Sequence, residues 1–347
     1  CMRCDPCAAL ACNPGPRYSH VMPEISLPDG ARPHVLVEAG RSRVLGDLNP
    51  DQIIALYQAH GALLLRGFEM DVPQFHAFAS QFCSTSVHNE SPNRMVLDDA
   101  ANIQSVDFGT EPFPLHPELS REPWKPDVCF FGCLNPPREA GATTICDGVD
   151  LVRQMPDALR AALIDRRLLY ILPCAPPILQ YWLGTAQPTD DELKNPPPHC
   201  PYRFVRNSAR ILRVFSRPAL HKPMFTDEPA FGNFLLFARY HNGNDRFPVL
   251  DDGKPVPMAW TDAVRDLGDR LSVPIQWRQG DLLMLDNSRF MHGRTAVVDP
   301  QDRLIATYFG YLRFAIPDPE EPTNAIWRRT IFHPPQVQPP PAAAQDR

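Results

Sequence analysis

The stretch PFPLHPELSREP, residues 112–123, carries His116 and Glu118 two positions apart. In an extended segment side chains alternate with period two, so both would project to the same side. An imidazole and a carboxylate on one side supply two corners of a metal coordination face. The pair alone is a weak signal, since His-x-Glu arises by chance in many chains. A third donor stands in GDLLMLDNSRFMHGR, residues 280–294, where an apolar strand runs through the turn-like Asp286-Asn287-Ser288 to His292. Two His and one carboxylate on one face suit Fe(II) and leave three positions open for substrate and oxygen. The same donors also suit zinc, with water as the fourth ligand. Eleven residues beyond His292 comes Arg303. A guanidinium on the next inward strand can clamp a carboxylate through two parallel N–H bonds, which lysine cannot do. A dicarboxylate that chelates a metal at one end needs such an anchor at the other.

With these residues in order, the sequence resembles the Fe(II)/2-oxoglutarate oxygenases of the taurine dioxygenase and clavaminate synthase type. The matching pieces are GALLLRGF near the N-terminus, HPE for the His-x-Asp/Glu of the family, PPREAGATTICDG for its Gly-Gly-x-Thr stretch, and LDNSRFMHGR followed by Arg303. Together they span residues 48–315 in the family's order. The resemblance implies that His116, Glu118 and His292 are iron ligands. It implies that Arg303 holds the distal carboxylate of 2-oxoglutarate, with Thr143 adding a hydrogen bond. Asp147 and Asn287 match positions expected to support the ligands from behind. The implied cofactors are Fe(II), 2-oxoglutarate as cosubstrate and O2, and the implied core is a double-stranded β-helix, a jelly-roll relative.

Two departures carry information. Glu118 replaces the Asp of most taurine dioxygenase relatives and resembles the clavaminate synthase and amino-acid hydroxylase branch. A carboxylate there also argues against halogenase chemistry, which needs that position for a halide. Ala140-Gly141-Ala142-Thr143 stands in place of Gly-Gly-x-Thr, and Thr144 could take the role of Thr143. The expected reaction is oxidation, by default hydroxylation, of an unactivated C–H bond, with release of succinate and CO2. The branch suggests a small-molecule substrate: an amino acid, free or in a peptide or carrier-bound natural-product intermediate. Residues 84–111 and 174–245 are expected to build the pocket, and Arg294 and Arg313 to meet an anionic group of the substrate. Two other classes compete: a zinc-dependent hydrolase on the same His/Glu/His donors, and a non-catalytic jelly-roll binding module. The first would leave Arg303 without an obligatory partner, and the second would usually have lost a ligand. The other histidines, His34 and His221 among them, have no partner spacing and default to surface or loop roles.

The elements that must position these residues are legible in outline. LNPDQIIALYQAHG predicts a helix ending at Gly61, ALLLRGF a buried strand, and VPQFHAFASQFC an amphipathic helix packed on it. From 126 on, short apolar runs broken by Pro and Gly predict strands, FLLFARY among them, and only 149–167 predicts a helix. The result is a mainly β chain with flanking helices. Residues 174–201, with APP and NPPPH, predict a long loop over one mouth of the sheet. Domain limits follow: an N-terminal arm over 1–33, a single domain over 34–333 with a lid or insert around 174–245, and a Pro-rich tail over 334–347.

Composition narrows the classes further. With 347 residues and 44% hydrophobic content, the chain can bury a large core. A net charge of −6 gives no footprint for nucleic acid or an anionic membrane surface. No apolar run reaches membrane-spanning length. The 41 prolines against 18 glycines favour bounded loops and a sheet-based fold. Four cysteines, Cys1, Cys4, Cys7 and Cys12, approach an iron–sulfur spacing, but the last gap is one residue too long; a loose terminal tail is expected. The remaining six show no disulfide framework, so reduced thiols in a cytoplasmic setting are expected.

Overall fold

The computed structural model describes residues 22–335. The four N-terminal cysteines and most of the Pro-rich tail lie outside them. Two sheets face each other. The larger has nine strands, with Ala62–Arg66, Leu282–Asp286, Val128–Asn135 and Leu304–Leu312 adjacent at its centre. The smaller runs Val273–Ile275, Thr143–Asp147, Phe290–Arg294, Phe113–His116. Between them lies an apolar layer that takes Cys129, Phe131, Leu283 and Phe309 from the large sheet and Ile145 and Phe290 from the small one.

Helices cover both outer faces. Pro50–His60 and Val72–Phe82 pack on the large sheet, burying Ile53, Tyr57, Phe75, Phe78 and Phe82 at helical spacing. Their starts are set by the sequence: Asn49 accepts from the amides of Asp51 and Gln52, and Asp71 with Gln74 forms a capping box. Gly61, at φ +75°, closes the first helix in the left-handed conformation. The outer face of the small sheet takes Gly148–Gln154, Asp157–Leu163, Leu235–Tyr240 and Met258–Leu271. A third, four-stranded sheet is built on the hairpin of Arg203–Asn207 and Arg210–Pro218.

Several local expectations need correction. The predicted helix over 149–167 is two helices, divided at Met155 and Pro156, because proline removes a backbone donor. FLLFARY is a helix over Leu235–Tyr240, started by Asn233, whose side chain accepts from the Leu235 amide at 3.0 Å. Residues 174–201 are not all loop. Pro176 and Pro177 occupy the first turn of a helix over Pro176–Leu183, where a missing N–H costs nothing. Thr189 and Glu192 cap a second helix, Asp190–Lys194. The cysteines Cys83, Cys129, Cys133, Cys146, Cys174 and Cys200 are unpaired. No helix among the described residues is long and apolar enough to cross a membrane.

Candidate active site

The strand Phe290–Arg294 runs between Phe113–His116 and Thr143–Asp147 and pairs with both. Its register sets His292 opposite His116, and Arg294 opposite Thr143. Gly293 permits this approach, since a Cβ there would stand 2.7 Å from the Phe113 carbonyl oxygen. Beyond the end of Phe113–His116, Leu119 at φ +49° turns the chain sharply, directly after Glu118. One donor atom from each of His116, Glu118 and His292 lies within 4.8 Å of the others. The imidazole centroids are 4.6 Å apart, and His292 Nε2 is 3.8 Å from Glu118 Oε2.

The protonation states suit coordination. His116 Nδ1 donates to the Pro114 carbonyl at 2.8 Å. A carbonyl can only accept, so Nδ1 carries the proton and Nε2 keeps its lone pair. Burial lowers the His116 pKa, and lowers that of His292 well below its usual value, with the neighbouring His116 adding to the effect. Both rings are therefore neutral donors. Glu118 is held by a dense frame. Asn287 accepts from the Glu118 amide at 2.8 Å and donates to the Glu118 carbonyl at 3.0 Å and the Pro126 carbonyl at 2.8 Å. Asn89 Nδ2 donates to Glu118 Oε1 at 2.7 Å, and Gln104 bonds both the amide and the carbonyl of Asn89.

Arg303 is 6% exposed, yet no carboxylate among the described residues pairs with it. Its Nε donates to the Gly141 carbonyl at 2.9 Å and its Nη2 to Thr143 Oγ1 at 3.3 Å; Thr143 also accepts from the Trp277 indole at 3.1 Å. Burial, helped by Arg294, brings the guanidinium pKa down to about 10, so it stays charged at neutral pH. A buried cation without an acid is costly, and an incoming carboxylate would relieve it. The donor set and this orphaned charge fit a divalent iron with a chelating dicarboxylate.

The other nominated residues fall differently. Thr144 points away from Arg303, toward Gly293. Arg294 lies beside Arg303 in one small cavity, but its Nη atoms donate to the carbonyls of Asp107 and Glu111 at 2.5 and 2.7 Å. Arg313 does not face the pocket: it is exposed beyond the end of its strand, with Nε on the Gln81 carbonyl at 3.1 Å. Asp147 pairs with Arg289 at 2.6 Å and caps the helix Gly148–Gln154. His34 is buried, and His221 turns inward, its Nε2 2.6 Å from the Ser288 carbonyl; neither holds a plain surface role. Sequence reasoning missed Asn89 and Arg94. Arg94 Nη2 stands 3.4 Å from Glu118 Oε2, its plane lies over the Phe309 ring at 5.2 Å, and its Nε is buried without a partner.

A two-sheet sandwich with two His and one Glu converging beside a buried arginine that has no acid among the described residues fits a non-haem iron oxygenase with a dicarboxylate cosubstrate. The model of the taurine catabolism dioxygenase TauD, TfdA family matches residues 40–308, and the chain belongs to this family. A comparison with curated proteins returns no match. Among solved structures, the chain is similar to PvcB, an Fe, alpha-ketoglutarate dependent oxygenase from an isonitrile synthetic pathway. Identity is 16%, the TM-score is 0.56, and the match covers 90% of this chain and 97% of that one. It is also similar to a taurine dioxygenase from Burkholderia xenovorans, at 14% identity and TM-score 0.56, covering 86% and 92%. AAD-2 in complex with Mn(II) and N-oxalylglycine matches at 14% identity and TM-score 0.54, covering 86% and 100%. The fold is the mixed α+β jelly roll expected from the sequence. The protein is an Fe(II)/2-oxoglutarate-dependent oxygenase that uses O2 and acts on a small molecule.

Proposed function

We propose that His116, Glu118 and His292 hold the ferrous ion and that Arg303, with Thr143, takes the distal carboxylate of 2-oxoglutarate. On this reading the enzyme hydroxylates an unactivated C–H bond of an amino acid or natural-product intermediate, free or carrier-bound. Arg303 carries the proposal: a zinc hydrolase on the same donors would give this buried guanidinium nothing to bind. When bound, the iron and cosubstrate would supply the oxidant from O2, one oxygen atom leaving in succinate as 2-oxoglutarate loses CO2 and the other being available to the substrate. The chain's own groups bind, orient and exclude water. Asn89 and Asn287 fix the carboxylate, and the Pro114 carbonyl fixes the His116 tautomer. Phe131, 5.1 Å from the His292 ring, shields the site from solvent. PvcB's place in an isonitrile synthetic pathway supports the natural-product side of the reading.

Charge supports an acidic substrate. Arg94 stands beside Glu118, and Arg303 has no acid among the described residues; a divalent iron and a doubly charged cosubstrate cancel, so a cationic excess remains. Arg94, whose Nη2 lies 3.4 Å from Glu118 Oε2 and whose buried Nε has no partner among the described residues, is the group to receive an acid. The test is a screen of amino acids and small organic acids, each beside its neutral amide, for substrate-stimulated succinate release. Acids should stimulate and amides should not, and Arg94→Ala should raise the substrate KM more than that of 2-oxoglutarate. Equal stimulation by amides would contradict the acidic substrate class.

A further inference from the structure

Behind the loop that leads from Glu118 into the strand Val128–Asn135 lies a cavity of about 640 Å3. Its walls are the 123–127 segment, one face of the third sheet, the 221–224 turn and the 316–322 segment. None of His116, Glu118, His292, Arg94, Arg303 or Thr143 lines it. The volume is that of a small-molecule site. Much of the lining is apolar, with Val214, Phe215, Met224 and Ile316 joined by several prolines.

The charges in the wall are unevenly settled. Arg167 pairs with Glu320 at 2.6 Å, and Arg328 with Asp127 at 2.9 Å and Glu321 at 2.7 Å. Lys222 reaches Asp227 at 2.5 Å. Lys125 differs: it makes no hydrogen bond and no ion pair with the described residues, and its strongest charged neighbour is another cation, Arg217. Arg217 is poorly satisfied in turn, with Asp318 at 3.8 Å, the Glu122 carbonyl at 3.3 Å and a buried Nε without a partner. Arg203, at the exposed rim, has no hydrogen bond or ion pair with the described residues. Two neighbouring, partly buried cations repel each other, and an anion between them relieves that cost. Burial and Arg217 together bring Lys125 down to about 8, with Asp286 and Asp318 acting the other way.

We propose that this cavity is a second ligand site, taking an amphiphilic organic anion. The acidic head pairs with Lys125 and Arg217, and the apolar body lies along Phe215, Met224 and the prolines. The proposed site shares no lining residue with the three metal-donor candidates or with Arg303.

The test uses the full chain and two matched probes. 1-Anilinonaphthalene-8-sulfonate carries an acid on the same rings that N-phenyl-1-naphthylamine presents without one. The sulfonate should bind saturably and bring a fluorescence rise. Lys125→Met and Arg217→Met should weaken it by about tenfold or more, the usual worth of a charge-assisted contact, and leave the neutral probe unchanged. Lys125→Arg should keep the affinity. Each variant is compared at an unchanged melting temperature. Should the Met variants not fold, Arg203→Glu at the rim reverses a charge without touching the core and should weaken the sulfonate alone. Absence of sulfonate binding overturns the proposal, as does sulfonate binding indifferent to Lys125, Arg217 and Arg203. Loss of binding in Arg303→Ala would also overturn it, by putting the probe in the cosubstrate pocket.

Discussion

Arg303 Nη2 stands 3.3 Å from Thr143 Oγ1 while its Nε donates to the Gly141 carbonyl, so the guanidinium is oriented on two sides and still lacks an acid. That relationship links the two sheets, since Arg303 enters the strand Leu304–Leu312 of the large sheet and Thr143 opens a strand of the small one. Removing the charge should cost a bidentate contact in a dry pocket. Arg303→Ala is expected to raise the 2-oxoglutarate KM by about two orders of magnitude. Arg303→Lys should recover part of it, because lysine restores charge without the fork. An unchanged KM in both would move the anchor elsewhere.

The Asn89 amide fixes one oxygen of Glu118 and leaves the other facing His292. Asn89→Leu keeps the volume and removes the donor. Metal affinity, measured with Mn(II) in the absence of turnover, should fall by about 10–100-fold while melting behaviour changes little. Asn89→Asp should be worse still, since it sets a second negative charge against Glu118. Undiminished affinity in both variants would make Asn89 a packing residue only.

Ala140 adopts φ +54°, in the left-handed region, at a position where the family motif has glycine. A Cβ there costs about 1 kcal/mol. Ala140→Gly is expected to raise stability to urea by about that amount, less the extra entropy of a glycine in the unfolded chain. A lower urea midpoint in the variant would show that the Ala140 methyl packs better than its backbone is strained.

His221 is half-buried, and desolvation brings its pKa down to about 3, with Lys125 adding to the effect. Below its usual value of 6.5 the unfolded chain takes up a proton that the fold refuses, so this contribution to stability is lost as pH falls from 6.5 toward 3. Asp286, raised by burial to about 6, acts in the opposite direction between its usual value and 6. His221→Gln can keep the bond to the Ser288 carbonyl and removes the titration. The urea stability lost between pH 7 and pH 5 should therefore be smaller in the variant, by about 2 kcal/mol. An identical pH dependence would place His221 in contact with water.

The chemistry was more legible than the scaffold around it. His116, Glu118, His292 and Arg303 stood out because chemistry restricts residue type at each position and the order along the chain is fixed. Asn89 and Arg94 did not, because they reach Glu118 across 29 and 24 residues from a segment without periodicity. Arg313 was misplaced since the apolar run LIATYFGYLRFA reads as one strand through it, whereas the strand ends at Leu312 and the chain has already turned. FLLFARY is apolar enough for either period, and the deciding signal was Asn233 just before it. In 174–201 the density of proline masked two readable starts, the Pro176-Pro177 first turn and the Thr189–Glu192 capping box. The helix Met258–Leu271 was passed over because Pro257 and Met258 open it without a capping side chain.

The most direct measurement is the anaerobic visible spectrum of the Fe(II)-loaded protein on addition of 2-oxoglutarate. Chelation of ferrous iron by a 2-oxo acid on His116, Glu118 and His292 should give a weak charge-transfer band. The band should vanish in His116→Ala and in His292→Ala, and Arg303→Ala should require far more 2-oxoglutarate to reach it. A band that survives loss of either histidine, or full turnover supported by zinc in place of iron, would contradict the assignment of these three residues.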